Sequence, residues 1–145
     1  MIALFEAGID QASVVIRTNP ADHTKELAVL GRIQHVPVPD ALLVTMGLAG
    51  LAAECLMFRK NVTPAEFIGG FGFYEMPSPS DEALFSSLSH EDLEIKAGET
   101  LKLVRDRWRE LEQIANEWQE EFIKYGEVDT HHLSPAALAK IAGAN

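Results

Sequence analysis

Hydrophobic residues are densest between Ala41 and Phe58, a run interrupted near its end by one acid, Glu54. Asp40 precedes the run and the pair Arg59-Lys60 follows it, so the charges at the two ends complement a helix dipole. Only Ala41 to Ala53 lacks a charge, whereas a bilayer span needs roughly 18 or more apolar residues. The pattern therefore predicts a buried central helix rather than a membrane span.

Two segments have the composition of β-strands. Ala12 to Arg17 is rich in β-branched side chains, and Val29 to Val36 alternates apolar and polar residues before Pro37. Met1 to Ala7 has helical composition and stops at Gly8, a favourable residue for a helix end. We therefore expect a short helix followed by a small sheet.

Helical patterns dominate the rest of the chain. Thr63 and Pro64 suit the cap and first position of a short helix that ends at Gly69-Gly70. From Ser89 onward, apolar residues recur at the three- and four-residue spacing of one face of a long amphipathic helix. This face contains Leu101, Val104, Trp108, Leu111, Ala115, Trp118, Phe122 and Tyr125.

The amphipathic face has two candidate partners. We favour packing against the central helix of the same chain, and the alternative is a homodimer seam through Trp108, Trp118 and Phe122.

Two further segments have recognisable patterns. Residues 71–80 mix aromatics with glycine and proline and predict a loop, and residues 136–142 predict a last short helix.

Together these elements predict a fold of the α+β class that is mainly helical. The central apolar helix and the long amphipathic helix are expected to pack with a sheet of two or three strands. The length of 145 residues suits a single domain, residues 1–145, with a hydrophobic core.

Composition narrows the classes of partner. The formal net charge of −10 opposes nucleic acid and anionic membrane surfaces, so we expect neither as a partner. The chain has one cysteine, Cys55, and therefore no disulfide framework. This cysteine usage, with a start that lacks a basic secretory leader, predicts a cytoplasmic protein.

Two acids are candidates for chemistry. Glu54 needs a partner because an ionised carboxylate within an apolar helix is costly to bury. It either pairs locally, for example with Arg59, or belongs to a functional site. Asp92 opens the long helix after Ser89, so it is either part of an ordinary helix cap, which we favour, or the partner of Glu54 in a site.

Motifs of established catalytic sites are absent from the sequence. The five histidines form no H-E-x-x-H pair, and there is no Cys-x-x-Cys, phosphate-binding glycine loop or G-x-S-x-G element. Cys55 is a poor candidate nucleophile because burial in an apolar helix raises the pKa of a thiol.

Three segments nevertheless resemble the zinc peptidase domain of FtsH-like metalloproteases and its small stand-alone relatives. Leu48 to Phe58 resembles the family's glycine-glycine-arginine-alanine-alanine-glutamate helix, with Leu51 in place of the arginine and Ala49 in place of the first glycine. Asp92-Leu93-Glu94 resembles the segment that supplies the third zinc ligand. Met1 to Ile9 resembles the helix end that follows the family's H-E-x-x-H.

The resemblance implies a metal ligand at Asp92 and a site-orienting carboxylate at Glu54. The H-E-x-x-H that supplies two ligands and the general base is expected to lie immediately before Met1. Either the start was assigned downstream of the true one or the lineage lost catalysis, and the uncapped helix at Met1 favours the first explanation. We therefore expect residues 1–145 to be catalytically inactive and to bind no stoichiometric zinc; in a longer chain carrying H-E-x-x-H, zinc would support peptide hydrolysis.

The resemblance also implies a place for a partner. The strand Leu30 to Val36 corresponds to the edge along which such proteases bind substrate as an added strand, which places Arg32 and Gln34 on that edge. A peptide or protein segment is therefore the expected partner. The alternative from another class is a helical interaction module without chemistry.

Overall fold

The computed structural model describes residues 2–9, 12–18, 29–70 and 79–130. These residues form six helices and a three-stranded antiparallel sheet, which confirms the predicted α+β, mainly helical class. In chain order the elements are α1 (Ile2–Glu6), β1 (Ala12–Thr18), β2 (Val29–His35), α2 (Asp40–Phe58), α3 (Pro64–Gly69), α4 (Pro79–Ser86), α5 (His90–Asp106), α6 (Trp108–Tyr125) and β3 (Glu127–Thr130).

The described elements belong to two compact units. One, the helical unit, comprises Ile2–Ala7 and the described residues of Val38–Trp108, and so contains α1 to α5. The other, the sheet unit, contains the three strands and α6 from Arg109 onward. The assignment of residues 1–145 to a single domain stays a prediction.

In the helical unit, α2 is the central element and packs against α1, α4 and α5. Leu48 and Ala52 on α2 are fully buried, as is Leu101 on α5. Burial of these apolar side chains is the main favourable contribution to packing. The prediction of a central apolar helix is confirmed.

Length and composition alone also make α2 long and apolar enough to cross a membrane. This is weak evidence, because the core helix of a soluble protein meets the same criteria. The expectation that the chain has no membrane partner stays a prediction.

The short helix α3 begins with the predicted capping box. The Thr63 hydroxyl accepts a hydrogen bond from the Glu66 amide at 3.2 Å, and the Glu66 carboxylate accepts one from the Thr63 amide at 2.9 Å. Pro64 occupies the first turn, where no amide hydrogen is needed. The bond from the Thr63 amide, more than any other cause, lowers the pKa of Glu66.

The sequence does not predict helix α4, and the loop prediction for residues 71–80 is wrong at its last two residues. Pro79 and Ser80 belong to α4 rather than to the predicted loop, whose other residues, 71–78, lie outside the described part of the chain. The helix packs closely on α2: a Cβ atom added to Gly47 would lie 2.9 Å from Asp81 Oδ1 and 3.2 Å from Phe85 Cζ. A side chain at position 47 would therefore require the ends of the Asp81 and Phe85 side chains to move.

The predicted long helix is divided into two. Helix α5 ends at Asp106 and α6 begins at Trp108, with Arg107 at the cap between them. Leu101 and Val104 are buried as expected, but on α6 the buried residue is Ile114, which the predicted face omitted. Ala115 and Tyr125, both on that predicted face, are exposed. The final helix predicted at 136–142 lies outside the described residues.

In the sheet unit, β1 is the middle strand of the order β2-β1-β3. It pairs antiparallel with both neighbours, with Val14 opposite Ile33 on β2 and Ile16 opposite Val128 on β3. Ala12, Val14 and Val128 are buried. Strand β3 was not predicted; it follows Gly126, which has a positive φ of 75° that favours glycine.

Candidate functional site

Asp92 lies in the first turn of α5 and takes part in its cap. The Ser89 hydroxyl accepts a hydrogen bond from the Asp92 amide at 3.1 Å and donates one to Asp92 Oδ2 at 2.7 Å. The side chain is exposed, and the negative charge suits the N-terminal end of a helix. This geometry is that of the ordinary helix cap, which the sequence favoured.

Glu54 lies on the last turns of α2 and is half-buried. It takes part in at least one polar or electrostatic interaction, which agrees with the expectation that a carboxylate in this apolar helix needs a partner. Arg59, the partner suggested by the sequence, forms an ion pair with Glu66 at 3.6 Å.

Glu54 is close in sequence to a residue that lines a cavity at the C-terminal end of α5, whereas Asp92 is at the N-terminal end of α5. Leu56, two residues beyond Glu54, lines the same cavity as Arg105, which is in the last turn of α5. Asp92 is in the first turn, about 20 Å from Arg105 along the helix axis at 1.5 Å per residue. Asp92 is therefore far from the end of α5 that lines the cavity.

A metal centre has little support in the described part of the chain. Among residues 2–9, 12–18, 29–70 and 79–130, no three histidine, cysteine, aspartate or glutamate side chains are placed to hold one ion. His131, His132 and His23 lie outside these residues. Asp92 as a zinc ligand and Glu54 as the carboxylate behind it stay predictions.

The substrate-edge prediction falls on an exposed strand. Strand β2 is at one edge of the three-stranded sheet, with β1 on its inner side. Arg32 and Gln34 are exposed, and the Ser13 hydroxyl donates a hydrogen bond to Gln34 Oε1 at 3.4 Å. Ile33, which points to the opposite face, is 40% exposed.

A further candidate site is a cavity of about 310 Å³ in the helical unit. Leu56 at the end of α2, Lys60 in the following turn, Arg105 and Trp108 line it. Arg105 Nη2 donates hydrogen bonds to the carbonyl oxygens of Val62 at 2.8 Å and Lys60 at 3.3 Å. The guanidinium therefore holds the turn between α2 and α3 against the end of α5.

Cys55 is near this cavity but is not a nucleophile in this state. Its side chain is buried, and burial raises the pKa of the thiol. The positive charges of Arg59 and Arg105 act in the opposite direction without cancelling the effect of burial. The thiol therefore remains protonated at neutral pH, as the sequence predicted.

The sequence did not reveal the cavity. The pair Arg59-Lys60 indicates only a basic helix end, and no local pattern indicates that Arg105 reaches the turn that contains Lys60. Trp108, which belongs to the alternative homodimer seam, lines the cavity, whereas Trp118 and Phe122 are half-buried on α6 in the sheet unit.

The chain matches no protein-family profile, no curated protein and no solved structure. The resemblance to FtsH-like peptidases therefore stays a hypothesis that rests on the three sequence segments.

Proposed function

We propose that this chain is a catalytically inactive relative of FtsH-like zinc peptidases that binds extended peptide segments. The observation that carries the proposal is strand β2, which within the described residues pairs only with β1 and has exposed Arg32, Ile33 and Gln34 side chains. An edge strand presents unpaired backbone groups, with which an added strand forms hydrogen bonds.

The role of Asp92, the implied zinc ligand, supports catalytic inactivity. Asp92 is used by the cap of α5, and the described residues contain no cluster of metal-binding side chains. Metal-assisted hydrolysis needs a metal with an open coordination position, for which one carboxylate is insufficient.

The side chains of β2 favour a particular peptide. Opposite charges on facing positions of neighbouring strands attract, so Arg32 favours an acidic residue on the added strand. Ile33 favours an apolar or β-branched residue on the other face. The expected partner is an extended peptide that alternates these two types.

The test uses a fluorescent peptide of about eight residues, the length of a well-formed strand, with alternating valine and glutamate. We expect saturable binding, measured by anisotropy, and loss of binding when alternate peptide amides are N-methylated, because methylation removes backbone donors from one edge. Equal binding of the methylated peptide would contradict strand addition.

A matched pair of variants locates the site. Ile33→Lys places a charge on β2, whereas Ile123→Lys makes the same change at a 76% exposed position on α6. Peptide affinity should fall only for Ile33→Lys. Equal affinities of the two variants would place binding elsewhere.

Inactivity is tested separately with zinc. After incubation with zinc chloride and gel filtration, we expect far less than one zinc per chain by elemental analysis, and no cleavage of unfolded casein. Stoichiometric zinc that is lost in Asp92→Asn would restore Asp92 as a ligand and overturn the proposal of an inactive scaffold.

A second candidate function is self-association through α6. On this helix Ile114 is buried, while Trp118 and Phe122, one and two turns further along the same face, are only half-buried. Aromatic side chains left partly exposed beside a buried residue are typical of interface anchors. A second copy of the chain is the partner that this candidate implies.

A further inference from the structure

The cavity of the helical unit has the size and walls of a small-molecule site. Its volume of about 310 Å³ is at the lower end of the range in which proteins bind small ligands. Leu56 and the half-buried indole of Trp108 form apolar walls, and Lys60 and Arg105 add two cations.

The two cations of the cavity differ from the neighbouring arginines in their partners. Arg59 is paired with Glu66, and Arg107 donates from Nε to Glu6 Oε1 at 2.7 Å. Arg105 instead donates to two carbonyl oxygens, which are neutral and form no ion pair with it. Within the described residues, no carboxylate is within ion-pair distance of Lys60 or Arg105.

Two cations without ion-pair partners are notable in a chain with a net charge of −10. A net negative charge repels anions at long range, so two cations without ion-pair partners beside an apolar wall select an anion locally. The guanidinium is positioned by the carbonyls of Lys60 and Val62, and both described bonds use Nη2. The hydrogens on Nε and Nη1 are not used by these two bonds and can donate to a carboxylate oxygen.

We propose that this cavity binds a carboxylate carried on an apolar body, with Lys60 and Arg105 holding the carboxylate and Trp108 and Leu56 contacting the apolar part. The ligand is either a free small carboxylic acid or the last residue of a peptide, whose terminal carboxylate has the same chemistry. The cavity is lined by residues of the helical unit and β2 belongs to the sheet unit, so the proposal does not rest on peptide addition to β2.

Ligand binding can be measured by the fluorescence of Trp108. The chain has two tryptophans, so Trp118→Phe leaves Trp108 as the sole indole reporter. We expect saturable quenching or shift of its fluorescence by 3-phenylpropionate, with a dissociation constant on the order of 1 mM for so small a ligand. The uncharged amide, 3-phenylpropionamide, should bind at least about fivefold more weakly because it lacks the charge. No saturable change with the acid, or equal affinity for the amide, would overturn the proposal.

Variants in the Trp118→Phe background test the cations. Lys60→Gln removes an exposed charge from the cavity and should weaken 3-phenylpropionate binding by about fivefold. Lys96→Gln removes a lysine from α5 that is paired with Glu99 at 3.2 Å and should leave affinity unchanged. Equal loss in both variants would indicate attraction by general charge and would contradict a built site.

Further ligands distinguish the two sources of the carboxylate. N-acetyl-Ala-Ala-Phe with a free C-terminus should bind more tightly than 3-phenylpropionate if the source is a peptide end, and its C-terminal amide should bind at least about fivefold more weakly than the acid. Weaker binding of the tripeptide with intact binding of 3-phenylpropionate assigns the cavity to free acids. Inorganic phosphate should not compete at equal concentration; competition by phosphate would overturn the requirement for an apolar body.

Discussion

At the residue scale, Arg105 connects parts of the helical unit that are distant in sequence. Its guanidinium donates to the carbonyls of Val62 and Lys60, which are in the turn after α2. Arg105→Ala leaves the Val62 carbonyl without this donor and should lower the free energy of unfolding by about 1–3 kcal/mol in urea titrations. Lys102→Ala, which breaks only an exposed pair with Asp106 on α5, should cost less than about 1 kcal/mol. Similar losses in the two variants would refute a special role for Arg105.

Cys55 gives a prediction about pH. Burial raises the pKa of its thiol above the ordinary value of 9.0, so the folded chain holds this proton more tightly than the unfolded chain. Stability from the protonated thiol is therefore fully present below pH 9.0 and is lost as the pH rises above it. In urea titrations, the stability difference between wild type and Cys55→Ala should shift against the wild type above this pH, and no shift would contradict the raised pKa.

Single residues were predictable where their role is local. The cap at Ser89 and Asp92, the capping box at Thr63 and the raised pKa of Cys55 all follow from neighbours in the sequence. The cavity was not predictable, because Lys60 and Arg105 meet only after α2 and α5 have packed.

At the scale of the elements, a comparison of two glycines on α2 distinguishes the effect of helix propensity on stability from the effect of packing. Gly50 has no neighbouring atom within 4 Å of an added Cβ, so Gly50→Ala should raise the free energy of unfolding by about 0.5–1 kcal/mol. At Gly47 the same Cβ meets Asp81 and Phe85 of α4, and overpacking costs typically about 1–3 kcal/mol. We therefore expect Gly47→Ala to be the less stable variant in urea titrations. Equal stabilisation by the two substitutions would show that the α4 side chains move away from the added Cβ atom without a loss of stability.

The elements divide into those with local determinants and those without. The apolar run predicts α2 and the capping box predicts α3. α4 begins with Pro79, in the segment predicted as a loop, followed by Asp81 and Glu82, which are typical of a helix start. The break at Arg107 has no proline or glycine to indicate it, so one continuous face was expected. Strand β3 is four residues long and is defined by pairing with distant β1, which local patterns do not encode.

At the scale of the whole molecule, net charge opposes self-association through α6. The chain carries a net charge of −10, and α6 itself contains Glu110, Glu112, Glu117, Glu120 and Glu121. Two copies that meet along this helix repel each other at low ionic strength, whereas salt screens that repulsion and strengthens apolar contact between Trp118 and Phe122 of the two copies.

The self-association candidate therefore predicts a mass that depends on salt. In light scattering we expect about 15.9 kDa at low ionic strength and an increase toward a dimer at about 0.5 M sodium chloride, where the Debye length is below 10 Å. Trp118→Glu should remain monomeric at both salt concentrations because it places a charge in the apolar contact, whereas Ile123→Glu, on the exposed opposite face, should dimerise as the wild type does. A wild type that remains at 15.9 kDa at high salt would exclude α6 as a homodimer seam and leave peptide binding as the proposed function.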